Sequence, residues 1–166
     1  MIIIVLGLPG TGKSYFAEKL SDRLGAVHIN SDSMRIALHA RGKYTIGDKL
    51  HIYRAMAEKT DHVLDEGKSV IVDATFYKHE MIDLFLTLAK DRATPLRFIK
   101  IEADETLVRK RLQKRRTDSE ADFQVYLKIK DEFDALHVPH VVILSGANNV
   151  QTMIESAIHY INDPHE

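Results

Sequence analysis

At 166 residues, 45% hydrophobic and 28% charged, the chain has ordinary globular composition and is long enough for one domain with a proper core. Its formal net charge of −1 supplies no global field to recruit nucleic acid or a membrane surface. The absence of cysteine excludes disulfides and thiolate metal sites, and no segment approaches membrane-spanning length, so the expected compartment is a reducing cytoplasm.

The chain opens on Ile2-Ile3-Ile4-Val5-Leu6, an apolar run suited to a buried parallel strand. It is too short for a signal peptide, lacks a basic flank, and leads straight into Gly7-Leu8-Pro9-Gly10-Thr11-Gly12-Lys13-Ser14. That octapeptide matches G-x-x-x-x-G-K-[ST], and Phe16, Leu20 and Leu24, spaced by four, continue as a helix with Gly25 as its C-cap. Residues 26–29 read as a second strand. The cap-rich Asn30-Ser31-Asp32-Ser33 starts a short helix through Met34, Ile36, Ala37 and Leu38. Residues 41–47 read as a surface loop, and a longer helix covers roughly 48–66 until Gly67. Val70-Ile71-Val72-Asp73 is a third strand ending in an acid. Helix resumes near Glu80 with Ile82, Phe85, Leu86 and Ala89 on one face, and residues 96–101 form the fourth strand. Asp104 can cap a helix carrying Leu107, Val108 and Leu112. A polar break at 116–119 separates it from a helix through Val125, Tyr126, Ile129 and Phe133. Residues 138–144 are the fifth strand, and the last helix spans about 149–161.

Buried strands alternating with helices predict an α/β fold, a five-stranded parallel sheet with helices on both faces: the three-layer P-loop NTPase arrangement, as one domain over 1–166. Ligands in such sheets gather at the carboxyl ends of the strands, where Gly7, Asp32, Asp73 and the segment after Ile101 all fall.

The chemistry expected at that rim follows from residue type. Glycines let successive backbone N–H groups curl toward phosphate oxygens, and the helix N-terminus adds partial positive charge. Gly7, Pro9, Gly10, Thr11, Gly12, Lys13, Ser14 and Tyr15 are therefore the candidate nucleotide-binding residues. Lys13 would reach the β- and γ-phosphates, and the Ser14 hydroxyl would ligate Mg²⁺. Asp73, after three apolar residues, has the Walker-B pattern of a metal-reaching acid, although Ala74-Thr75 beyond it also suits a turn or capping Asp. Asp32 and Arg35 share a helical face at i and i+3. They can serve as base and substrate-holding arginine, or equally as helix cap and surface side chain. The run Arg109, Lys110, Arg111, Lys114, Arg115, Arg116 suits a lid neutralising phosphate charge, a solvated helix face or a nucleic-acid patch. Phe76, Tyr77, Tyr44 and Tyr53 can stack on a base or simply pack. The histidines, including His137 and His140 around Pro139, read as structural or incidental, with no helical metal pair.

Taken together, residues 7–14, Asn30-Ser31-Asp32-Ser33-Met34-Arg35, Val70-Ile71-Val72-Asp73-Ala74-Thr75 and residues 107–115 resemble the small P-loop kinases grouped with phage-type 5′-hydroxyl polynucleotide kinase. Relatives of that group are the zeta-toxin and chloramphenicol phosphotransferase kinases, and the resemblance covers nearly the whole chain. It implies ATP and Mg²⁺ at Lys13 and Ser14, Asp32 as general base on the acceptor hydroxyl, and Arg35 on the phosphoryl group or acceptor. It also implies a lid over about 104–122 with Arg115 as the lid arginine and Arg111 one turn earlier. The sequence departs in showing no phosphatase domain like that of the phage enzyme, and in a near-neutral charge that offers long polynucleotides no track.

Two functions compete at this stage. One is a kinase whose acceptor is a nucleic-acid 5′ end, a nucleotide or a small alcohol, bound by loops near 40–50 and 75–80. The other is a P-loop ATPase or switch coupling hydrolysis to a partner; no Asn-Lys-x-Asp sequence points to guanine.

Overall fold

The computed structural model describes residues 1–114 and 122–163. Five parallel strands form its sheet: β1 (Ile2–Leu6), β2 (Val27–Asn30), β3 (Val70–Ala74), β4 (Leu96–Ala103) and β5 (Val141–Ser145), in the order β2-β3-β1-β4-β5. The connecting helices are α1 (Lys13–Leu24), α2 (Ser31–Ala37), α3 (Ile46–Asp65), α4 (His79–Asp91), α5 (Glu105–Gln113), α6 (Phe123–Glu132) and α7 (Val150–Asn162).

Every residue of β1 is buried, because it is the central strand and both its faces are covered. Ile2, Ile4 and Leu6 face a core built with Ile52 and Met56 of α3 and Met81 and Phe85 of α4. Ile3 and Val5 face the opposite core, with Phe16 and Leu20 of α1 and Met153 and Ala157 of α7. Helices thus cover both sides of the sheet, the three layers that the alternation of elements predicts.

Several boundaries shift for local reasons. The predicted loop over 41–47 ends at Thr45, whose side chain accepts from the Asp48 N–H while the Asp48 carboxylate accepts from the Thr45 N–H. This capping box starts α3 at Ile46. The fifth strand begins at Val141 rather than 138, past Pro139, which has no N–H to give a ladder. The helix α2 is capped by Asn30, whose side-chain oxygen accepts from the Ser33 N–H, so Asp32 lies inside the first turn and is not the cap. The polar break predicted at 116–119 lies outside the described residues.

Register matters most for the site. Val5 pairs with Asp73, and Asp73 with Asn30, so the three strand ends on this side of the sheet stop level with one another.

Candidate functional site

The P-loop joins β1 to α1. Gly12 stands at the N-cap with φ +87° and brings no side-chain cap, leaving the first-turn N–H groups of α1 for an anion. Gly7, at φ +152°, passes so close to β4 that a Cβ there would collide with the Ile101 carbonyl. Within the loop, the buried Thr11 hydroxyl donates to the Leu8 carbonyl at 2.8 Å, and Pro9 is buried beside it. The Tyr15 ring is 57% exposed, with the Lys19 ammonium 5.6 Å from its centroid, so this predicted nucleotide-binding residue offers its backbone and an open ring edge.

One side of the loop carries the candidate metal pair. Asn30 Nδ2 donates to Asp73 Oδ2 at 2.6 Å and lies 3.1 Å from Ser14 Oγ, so it ties the two together. His28 Nε2 is 3.2 Å from the same Asp73 oxygen. Asp73 is wholly buried. Burial pushes its carboxyl pKa up, but the His28 bond, the Lys13 charge, and bonds with Ser14 and Asn30 outweigh that and hold it below the ordinary value. The other oxygen, Oδ1, is buried without a partner among the described residues. An orphaned carboxylate oxygen beside a serine hydroxyl is a hard-oxygen donor set, and it fits Mg²⁺ completed by water and phosphate oxygens.

Asn30 was expected only at the start of the short helix, where it is the cap; its bridge from Ser14 to Asp73, and His28 beside it, escaped the sequence reading. The available signal was two polar residues at i and i+2 in an otherwise apolar strand, Val27-His28-Ile29-Asn30, which places both on one face.

Arg111 of α5 lies against the loop's other side. Its guanidinium donates to the carbonyls of Thr11 (3.0 Å) and Gly146 (2.9 Å) and to Ser145 Oγ (3.1 Å), and desolvation lowers its pKa. It lines a cavity of about 460 Å³ together with Gly12, Tyr15, Asn149 and Met153. The β5–α7 turn at this cavity also went unread; Asn149 braces it, accepting from the Gly146 N–H and donating to the Leu144 carbonyl. Arg115 lies outside the described residues.

Asp32 and Arg35 open onto a second cavity, of about 210 Å³. Arg35 Nη1 is 3.6 Å from Asp32 Oδ1, and the Arg35 guanidinium sits 5.3 Å from the Tyr44 ring centroid. Of the four aromatics singled out from sequence, three are buried in the core, Tyr53, Phe76 and Tyr77, and Tyr44 is exposed. Phe76, at φ +52°, donates its N–H to the Tyr53 hydroxyl at 2.9 Å and meets the Tyr53 ring edge-on. Tyr53 also borders the cavity, where Tyr44 and Tyr77 are its other aromatic walls. Gly10, Lys13, Ser14 and Leu112 line both cavities, so the two adjoin at the P-loop and α5, and a further cavity of about 460 Å³ borders Ser14 and Tyr15 on the His28 and Asn30 side.

The family model described as an AAA domain matches residues 2–136. No curated protein matches the sequence. Among solved structures, an unliganded sugar kinase from Janibacter sp. HTCC2649 is 23% identical with a TM-score of 0.73, over 97% of this chain and 94% of that one. The Mycobacterium tuberculosis APS kinase, in complex with AMPPNP and APS, is 15% identical with a TM-score of 0.74, over 98% and 97%. Kti12 from Chaetomium thermophilum, in complex with ADP-AlF3, is 16% identical with a TM-score of 0.71, over 98% and 100%. At these identities the likeness is one of fold, and it matches the five-stranded parallel sheet found here.

Proposed function

The chain belongs to the AAA-domain family and has a P-loop kinase-like fold, and on that premise we propose that it is an ATP-dependent kinase with an alcohol as acceptor. The observation that carries this reading is an adjoining pair of cavities: the two meet at Lys13 and Ser14, and Asp32 and Arg35 stand in the smaller one. A pure hydrolase needs room for one water beside the γ-phosphate, not a second chamber with its own carboxylate and arginine.

In this reading the larger cavity takes ATP, with Arg111 and the β5–α7 turn beside the base and the P-loop N–H groups on the phosphates. Ser14 and Asp73 would hold Mg²⁺, which when bound neutralises phosphate charge. The acceptor oxygen attacks the γ-phosphorus in line, the bond to the β,γ-bridging oxygen breaks, and ADP leaves. Asp32 orients the acceptor hydroxyl and takes its proton, later released to water. Arg35 holds the acceptor or the moving phosphoryl group, Lys13 follows the phosphate charge, and Arg115 supplies further positive charge from a lid over about 104–122. Residues 1–166 act as one kinase domain in the cytoplasm, and a polynucleotide-type 5′-hydroxyl end is among the acceptors the sequence motifs suit.

The deciding experiment follows ADP formation with Mg-ATP alone and with 5′-hydroxyl oligonucleotides, nucleosides, sugars and hydroxy acids. A kinase shows acceptor-dependent turnover with phosphate recovered on the acceptor. Turnover indifferent to every acceptor, and altered by a macromolecular partner, would point to the ATPase or switch.

A further inference from the structure

The charges lining the smaller cavity do not balance. Among the described residues, Lys13, Arg35, Lys49 and Lys128 line it against one carboxylate, Asp32. Lys13 belongs to the phosphate donor, which leaves three cations on the acceptor side. Arg35 is 12% exposed in its side chain, and its buried Nε–H has no acceptor among the described residues. Leaving a buried cationic N–H unmatched costs free energy that an anion would recover. The half-buried Lys49 ammonium donates to the neutral Tyr77 hydroxyl at 2.7 Å. Burial lowers its pKa, and Lys128, Arg35 and Lys78 push the same way against the pull of Glu132. These groups are held near one another without enough negative charge of their own.

Size narrows the ligand further. About 210 Å³ is less than the roughly 300–1,000 Å³ of pockets that take drug-sized molecules. Leu112 of α5 and Val125 and Ile129 of α6 wall the chamber with apolar surface. Such walls strengthen any ion pair made inside.

Resting on the kinase reading above, we infer that the acceptor is a compact alcohol carrying an anionic group, a carboxylate, sulfate or phosphate, bound by Arg35, Lys49 and Lys128 while its hydroxyl lies at Asp32. Lys49 and Lys128 then determine specificity: they select acids over neutral sugars and polyols without touching the transferred phosphoryl group.

The test separates the anion site from the reaction. With the nucleotide chamber filled by Mg-AMPPNP, the protein is titrated with inorganic phosphate in a calorimeter. Saturable binding is expected, weakened at least about 10-fold by Lys49→Gln or by Lys128→Gln, and unchanged by Lys90→Gln on the exposed face of α4. Binding that does not saturate, or that both cavity variants retain in full, overturns the inference. Turnover is then compared on matched pairs: gluconate and sorbitol, glycerate and glycerol, glucose 6-phosphate and glucose. The acid of at least one pair is expected to win, with Lys49→Gln raising its KM more than it lowers kcat. Neutral members used equally well, and indifferently to Lys49→Gln, refute the anionic class and leave the kinase standing. Saturable phosphate binding with no acceptor-dependent turnover refutes the kinase and leaves the anion site standing.

Discussion

A carboxylate in the first turn of a short helix is usually explained as capping, and Asp32 escapes that explanation because Asn30 already holds the cap. Its two proposed roles therefore separate cleanly. Asp32→Asn and Asp32→Ala should both stay folded and still bind Mg-ATP, while acceptor phosphorylation falls at least about 100-fold. Folded Asp32→Asn protein with near-normal transfer would leave no case for a base there. Lys13 is simpler. Its ammonium faces the β- and γ-phosphates in the proposed complex, so Lys13→Ala should lose most of the stabilisation that Mg-ATP confers in a thermal-shift assay. Full ligand-induced stabilisation of that variant would remove the nucleotide assignment. Asp73, His28 and Asn30 show why residues read singly mislead. The strand-ending acid was visible from sequence, but its two partners acquired meaning only when strand register set Asn30 level with Asp73.

Among the elements, α3 carries the clearest local device. The Thr45–Asp48 box fixes the entry to a 20-residue helix that contributes Lys49 and Tyr53 to the smaller cavity, the proposed acceptor chamber. Thr45→Ala should cost about 1 kcal/mol in chemical denaturation. The Asp48 carboxyl has a lowered pKa, first because the Thr45 hydroxyl and then because the Thr45 N–H bond its charged form. A carboxyl depressed in the folded state contributes stability above its ordinary value near 4, and loses it as pH falls through the lower folded value. Denaturation midpoints measured from neutral pH down to about pH 3 should therefore converge for wild type and Asp48→Asn at the acid end. The helix α5 has a different part. Arg111 anchors it to the P-loop carbonyls, and the proposed lid arginine is Arg115. Arg115→Ala is expected to lower kcat on the order of 100-fold while sparing nucleotide affinity, and Arg115→Lys to recover part of it, since an ammonium lacks the planar fork. An alanine variant with full kcat would return this run of charge to a solvated face.

At the scale of the whole molecule, charge argues about partners. A net −1 gives no long-range attraction for a polyanion, and the proposed acceptor chamber is small, so its cations act locally. If 5′-hydroxyl oligonucleotides are turned over at all, kcat/KM should not rise as they lengthen from two to twenty nucleotides at constant salt. A steady rise, with steep salt dependence, would reveal a phosphate-tracking surface outside the chamber.

The sequence by itself determined the elements and the donor side. An uninterrupted apolar run declares a strand covered on both faces, and a glycine-rich loop followed by Lys-Ser has one physical use, so β1, the P-loop and α1 were legible from neighbouring residues alone. The Gly25 C-cap and the Asp104 N-cap were legible for the same reason: each depends on a few adjacent residues. Only the tertiary structure decided the order β2-β3-β1-β4-β5, because it depends on which parallel strands pair across long crossovers. That order sets β1 between β3 and β4, brings the ends of β2 and β3 beside the P-loop, and seats Arg111 against it from a hundred residues away. It also collects Lys49 from α3, Arg35 from α2 and Lys128 from α6 around one chamber. Their convergence was unreadable in the chain because a lysine at a cavity and one on an open face have the same local sequence, and only the packing of α2, α3 and α6 around the chamber tells them apart.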